Sequence, residues 1–299
     1  MSHSEFNQTT IFFDKDSVQE CRDLYQAQGM SISTIAKFKE LVYLYYQNNE
    51  RKFSWRTKIT PYHVVVSEIM LQQTQTHRVA DKFDAFITVF PTFAALATAP
   101  FEEVLRLWKG LGYNRRALNL QKIALRITLE YDQQLPNDPE LLVTLPGIGK
   151  ATAASICAFA FNKPTVFIET NIRTVFIYLF FSQETNIHDN DIIPLIAQTV
   201  DQTNPRDWYY GLMDYGVMLK KTIGNFSRLS KHHTKQSTFK GSDRQIRGLI
   251  LQALLDTPGI TEYLLIVRLN KEENRVLKML DQLKREGFIQ QQGKLLLLS

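Results

Sequence analysis

The chain has 299 residues, 44% of them hydrophobic and 22% charged, with a net charge of +5 and two cysteines. This length and even apolar content indicate a globular chain of about two domains, and they exclude a low-complexity polypeptide or a disulfide-stapled scaffold. No apolar run reaches the roughly 18 residues of a membrane span, and the N-terminus MSHSEFNQTT lacks a basic region followed by an apolar core, so neither a span nor a secretory signal is expected.

Residues 1–34 carry little periodicity and read as an N-terminal extension without an assigned role. Ser33 or Thr34 can cap an amphipathic helix through Ile35, Phe38, Leu41, Val42 and Tyr45 that ends near Asn48-Asn49. Phe53-Ser54-Trp55-Arg56 reads as a loop presenting an exposed aromatic and a cation. Pro61 opens a helix to about Gln72, because proline's fixed φ and missing N–H suit a first turn. Polar residues Gln72-Gln73-Thr74-Gln75 follow. Helices are then expected over 79–90, 93–97 and 101–108, with a turn at Gly110-Leu111-Gly112-Tyr113 and a basic-headed helix over 115–131. Two more runs, 139–145 and 150–161, flank the hairpin Leu145-Pro146-Gly147-Ile148-Gly149-Lys150. Further helices are expected over 171–181, 191–200 and 208–219. No run alternates as a strand would, so the first 225 residues read as all-helical.

The C-terminal part differs. From Lys220 to Arg247 basic residues recur, Lys231 and Lys235 among them, and Asp243 is the only acid. Residues 226–241 read as a basic linker suited to phosphate contact. Ser242 can cap a helix over 243–255, Pro258-Gly259 breaks it, and helices over 261–269 and 272–285 follow. A hairpin turning at Gln291-Gln292-Gly293 completes a winged helix-turn-helix over 242–299. Its third helix carries Arg275 and Lys278, and such a helix commonly enters the major groove.

The central hairpin has its own chemistry. Gly147 and Gly149 allow backbone angles that side chains forbid, and they let a phosphate approach amides at the positive end of the next helix, where Lys150 stands. Twenty residues beyond Gly149 lies Glu169, a carboxylate inside an apolar run. LPGIGK followed by FIETNIRTV resembles the helix-hairpin-helix base-excision superfamily. A second set of strings is sharper: Trp55-Arg56, Thr60-Pro61-Tyr62, Ser67-Glu68-Ile69-Met70-Leu71-Gln72-Gln73-Thr74-Gln75 and Gly110-Leu111-Gly112-Tyr113, in that order. Over residues 40–220 the chain is similar to the MutY-type adenine-specific mismatch glycosylases.

That resemblance implies a mainly α, two-lobed helix-hairpin-helix DNA glycosylase fold over 35–225, followed by the winged helix. It also implies roles. Breaking an N-glycosidic bond takes protonation of the leaving base and stabilisation of an oxocarbenium ion, the logic of a two-carboxylate glycosidase. By resemblance Glu68 is the acid, protonating adenine N7 and later activating water. Such an acid belongs in an apolar pocket with a raised pKa. Glu169 would face the sugar and Asn171 would orient it, although the family has Asp where this chain has Glu169. One methylene moves a carboxylate by about 1.5 Å, and errors of about 1 Å can cost a hundredfold in rate. Because a stacked base cannot be reached, it must be flipped out. Gln73 resembles the minor-groove wedge and Tyr113 the intercalating aromatic. Trp55, Arg56 and Tyr210 match the base pocket, with Tyr210 standing where the family often has Gln or Glu.

Two departures set limits. The lyase members place a catalytic Lys where this chain has Ala151, so hydrolysis without Schiff-base strand cleavage is expected. The family's [4Fe–4S] cysteines should follow Leu212-Met213-Asp214-Tyr215-Gly216, but KKTIGNFSRLSKHHTKQ has none, so no iron–sulfur cluster is expected. By the same resemblance the winged helix is expected to stand in place of the family's NUDIX-like domain. No cofactor is required, and a K⁺ or Na⁺ at the carbonyls of Leu145 to Ile148 is implied by resemblance only. The expected partner is double-stranded DNA with a mismatched or damaged base, bound by a monomer in the cytoplasm near the nucleoid. Two other functions stay open: a glycosylase for hypoxanthine, uracil or thymine, and a catalytically silent DNA-binding regulator.

Overall fold

In a computed structural model of the protein, residues 14–233 and 238–299 are described. In chain order the helices are α1 (Lys15–Gln28), α2 (Ile32–Asn49), α3 (Ser54–Thr57), α4 (Pro61–Leu71), α5 (Thr76–Val89), α6 (Phe93–Thr98), α7 (Phe101–Trp108) and α8 (Arg115–Glu130). They continue with α9 (Pro139–Leu142), α10 (Lys150–Phe161), α11 (Thr170–Phe180), α12 (Asp189–Thr199) and α13 (Pro205–Thr222). The C-terminal part holds α14 (Asp243–Asp256), β1 (Ile260–Thr261), α15 (Glu262–Leu269), α16 (Glu273–Arg285), β2 (Ile289–Gln292) and β3 (Leu295–Leu298). Among the described residues up to 225 every named element is a helix, as expected of an all-helical region. None of the described helices is long and apolar enough to cross a membrane.

The chain divides into two compact units that do not follow chain order. The first takes residues 14–52 and 150–233, so α1, α2 and α10 to α13. Within the N-terminal stretch without an assigned role, Lys15–Gln28 form α1 in this unit. Asp14 caps it, accepting from the Asp16 and Ser17 amides at 3.0 and 3.1 Å, and Val18 and Cys21 are buried. The cap of α2 is Ser31, earlier than either expected candidate; Thr34 is buried and donates to the Gly29 carbonyl at 2.9 Å. An aromatic cluster centres the core, with Phe38 meeting Phe176, Phe180 and Trp208 edge-on at 5.2–5.3 Å. Asp214 on α13 is 1% exposed and accepts from the Arg51 backbone N–H at 2.9 Å and Nε at 2.6 Å, which ties the end of α2 to α13.

The second unit takes residues 53–149 and 238–299. Phe83, Phe86 and Trp108 fill the core of its helical part. The stretch expected as an exposed loop is the short helix α3, with Trp55 5% exposed, stacked on Phe53 at 4.6 Å and edge-on to Phe83 at 5.3 Å. The C-terminal segment packs here as three helices and a small antiparallel sheet of order β1-β3-β2. Gln292 pairs with Leu295, so the hairpin turns at Gly293-Lys294, one step beyond the expected Gln291-Gln292-Gly293. Gly293 has φ +61°, which suits glycine in such a tight turn. Three contacts fasten this segment to α7 and α8. Phe101 meets Phe288 at 5.6 Å, Arg106 donates to the Leu255 carbonyl at 2.7 Å, and Glu286 accepts from both Arg115 and Arg247.

Candidate functional site

In the first unit, an extended residue turns into α11 at Glu169. Its Oε1 accepts from the backbone N–H groups of Asn171 and Ile172 at 2.7 and 2.9 Å, and its Oε2 accepts from Asn171 Nδ2 at 3.2 Å. Glu169 therefore caps α11, and its negative charge lies at the positive end of the helix. The extra methylene does not push the carboxylate outward; the side chain folds back onto its own helix. Asn171 is held in turn: Lys220, in the last turn of α13, donates to its Oδ1 at 2.7 Å. Burial, partly offset by the charge of Glu169, holds the Lys220 ammonium below the usual lysine range.

Gly216 completes this cluster. A Cβ there would lie 2.4 Å from the Asn171 carbonyl oxygen and 2.8 Å from its Cβ. Only a glycine lets the α13 backbone run this close to the start of α11. In the sequence, Gly216 marks only the place of an absent cysteine motif, and Lys220 is one cation in a charged stretch. Neither points to Asn171, which lies 49 residues from Lys220 in the chain.

In the second unit, Thr60 caps α4 by accepting the His63 N–H at 3.1 Å, and Pro61 starts the helix. Glu68 is half-buried near the other end of α4, with Ser67, Ile69 and Met70 buried around it. The end of α4 is closed by one side chain that the sequence did not single out. Arg116 Nη1 donates to the carbonyls of Ile69, Met70 and Gln72 at 2.9, 2.7 and 2.5 Å. Its Nη2 donates to Thr74 Oγ1 at 2.8 Å and to the Leu111 and Gly112 carbonyls at 3.1 and 3.0 Å. Those first carbonyls are the ones a helix end leaves unpaired. Burial brings the Arg116 guanidinium down to about 10. One arginine thus pins two turns, and each carries a side chain expected to meet DNA in left-handed backbone: Gln73 at φ +55°, exposed, and Tyr113 at φ +48°, half-buried.

The hairpin lies beside them. Gly147 has φ +79°, a conformation that requires glycine, and a Cβ there would also push the Asn119 amide aside, Nδ2 lying at 2.5 Å. Gln72 Nε2 donates to the Gly147 carbonyl at 3.3 Å, and the Ile148 N–H donates to the Leu145 carbonyl at 3.2 Å. Gly149 differs from the expectation. Its φ is not positive, and a Cβ would meet nothing within 4 Å. It leaves open space at the mouth of α10, where Lys150 and Ala151 are exposed. Carbonyl oxygens are hard donors, so by donor type a monovalent cation would fit here. A four-thiolate cluster would not: the two cysteines, Cys21 and Cys157, are both buried, on α1 and α10.

The remaining expected residues fall in varied places. Trp55 and Arg56 are buried, with the Arg56 guanidinium 5.3 Å from the Phe53 ring centre. Tyr210 is 4% exposed and stacks on Phe159 at 4.7 Å. Lys231 and Lys278 are exposed, and Lys235 lies outside the described residues. Arg275 is turned onto its own segment, donating to Asp243 and to the Gly241 carbonyl at 3.0 Å. Glu68 and Glu169 belong to different units.

Residues 66–193 match the family model described as HhH-GPD superfamily base excision DNA repair protein. The adenine DNA glycosylase of Mycolicibacterium smegmatis is 32% identical over 268 residues, 83% of this chain and 90% of that protein. The adenine DNA glycosylase of Buchnera aphidicola subsp. Baizongia pistaciae is 32% identical over 63% of this chain, and that of Rattus norvegicus 31% identical over 79%. The chain spans about half the length of those two relatives, 54% and 48%. Among solved structures, a thermostable thymine-DNA glycosylase matches with a TM-score of 0.57 at 24% identity, over 72% of this chain and 97% of the other. That likeness concerns the fold.

Proposed function

Because the chain belongs to the adenine DNA glycosylase family of the HhH-GPD superfamily, we propose that it is a monofunctional DNA glycosylase acting on adenine mispaired with 8-oxoguanine or guanine. The observation that carries this reading is the Glu169–Asn171–Lys220 cluster, which holds a carboxylate in one orientation at the head of a helix. An unused glutamate would not need a half-buried lysine to position its neighbour.

Gln73 and Tyr113 fill the gap left in the duplex when the adenine is extruded. Glu68 donates a proton to N7, and the C1′–N9 bond breaks with its electron pair going to the base. The Glu169 carboxylate stabilises the resulting positive charge on the sugar. Water adds to C1′ and gives up its proton to Glu68, leaving free adenine and an abasic site. Ala151, exposed in the first turn of α10, has no amine for a Schiff base, so the strand stays intact. A K⁺ or Na⁺ on the hairpin carbonyls would add positive charge for a phosphate. The C-terminal segment serves as a winged helix, with Lys278 on α16 directed to the DNA backbone.

Single-turnover base release tests this on duplexes carrying adenine opposite 8-oxoguanine, guanine or thymine. Release from the first two and none from the third is the expected pattern. Release of a different base from a lesion panel, with adenine untouched, would replace the assignment.

A further inference from the structure

A cleft of about 870 Å³ opens in the second unit, lined by the Gly110–Tyr113 turn, the head of α8 and α14. Among the described residues its lining includes six cations, Arg78, Lys109, Arg115, Arg116, Arg244 and Arg247, and no carboxylate. Glu286, bonded to Arg115 and Arg247, offsets one of these charges. Amide side chains, among them Asn114, Gln252 and Gln282, supply donors and acceptors. Phe239, also in the lining, is 60% exposed. Arg244 Nη1 donates to Tyr113 Oη at 2.8 Å, and this bond joins the C-terminal segment to the Gly110–Tyr113 turn.

Gly248 adds an independent observation. It sits in the middle of α14, in the cleft lining, and a Cβ there would meet nothing within 4 Å. A mid-helix glycine costs helix stability relative to alanine, and no described neighbouring atom requires one here. A group from outside that approaches this backbone closely would.

We propose that this cleft is a binding site for an unpaired nucleotide. The charged groups of Lys109, Arg78, Arg115, Arg244 and Arg247 draw in its phosphate, the amides meet the base edge, and Phe239 offers a face for stacking. The size fits, since small-ligand sites run from about 300 to 1,000 Å³. The same chemistry serves a nucleotide extruded from a DNA strand or a free one, and the inference rests on the reading of this protein as a DNA enzyme.

The test is anisotropy binding of the full chain to two undamaged duplexes at one salt concentration, one fully paired and one with a single bulged thymidine. The wild type should prefer the bulge by about tenfold, the scale of one stacked base. Gly248→Leu covers the open α14 backbone in the cleft wall with a good helix former, so it should keep the affinity for paired DNA and lose the preference. Phe239→Ala should weaken the preference and serves as the second variant if the first does not fold, as judged by its thermal melt. Competition by thymidine monophosphate assigns the site to free nucleotides, and its absence assigns it to the DNA strand. A preference that survives in both variants, or no preference in the wild type, overturns the inference. Failure of the wild type to bind either duplex would instead overturn the DNA enzyme reading itself.

Discussion

The two units hold their functional residues in opposite ways. In the first, Glu169 and Asn171 are fixed by packing: a glycine without room for a methyl group on one side and a half-buried ammonium on the other. In the second, Gln73 and Tyr113 stand on left-handed turns, kept there by the single guanidinium of Arg116. The difference matches the tasks assigned to them. A carboxylate that stabilises charge at a reacting atom must not drift, whereas side chains that enter a duplex must project, and strained turns over a fixed support do that.

The sharpest way to break the contrast is Gly216→Ala. The added methyl would be driven into the Asn171 carbonyl, so stability should fall by about 1–3 kcal/mol. If Glu169 shifts by even about 1 Å, single-turnover base release should drop about a hundredfold, while DNA affinity, which Gln73 and Tyr113 of the other unit are expected to supply in part, should change far less. Arg116→Gln probes the second unit. Losing a charged donor shared among backbone carbonyls should cost roughly 2–3 kcal/mol of stability, and here affinity for duplex DNA should fall. If both variants impair rate and affinity alike, the division of labour is wrong.

Lys220→Met separates positioning from packing. A drop of about tenfold in rate is expected (about 1.4 kcal/mol), and the pH profile is the decisive readout. The folded Lys220 titrates below the usual lysine range, so between its folded and unfolded values the unfolded chain holds the extra proton. Stability therefore rises with pH through that window, while the charge beside Asn171 is lost and base release should decline. The methionine variant should lack that alkaline decline. The smallest effect concerns Glu286. Burial raises its carboxyl, but hydrogen bonds from Arg247 and Arg115 outweigh this and leave it below the ordinary value. Its contribution, under about 1 kcal/mol, is present above the unfolded carboxylate value and lost as pH falls through the folded one. An acid thermal melt of Glu286→Gln should show less pH dependence than the wild type.

Much of this was legible in the sequence because the signals are local. Helix periodicity, Pro61 and the Ser242 cap place their elements within a few residues. Glu68, Glu169 and the hairpin stand in short strings whose order carries the family resemblance. What stayed hidden depends on partners distant in the chain. Trp55 sits among polar neighbours and reads as exposed until Phe83 covers it. Lys220 reads as one of several cations until α13 meets α11. The open space at Gly149, and the demand at Gly216 for a missing side chain, are facts about neighbouring atoms that no spacing shows. The two-residue β1 is too short to alternate.

The most direct test of the account is the single-turnover rate of adenine release from a duplex with adenine opposite 8-oxoguanine, measured for the wild type, Glu68→Gln, Glu169→Gln and the double variant. If the two carboxylates act on a single bond, each single change should cost nearly as much as both together. A Glu169→Gln variant that keeps the wild-type rate, or losses that simply multiply in the double variant, would contradict it.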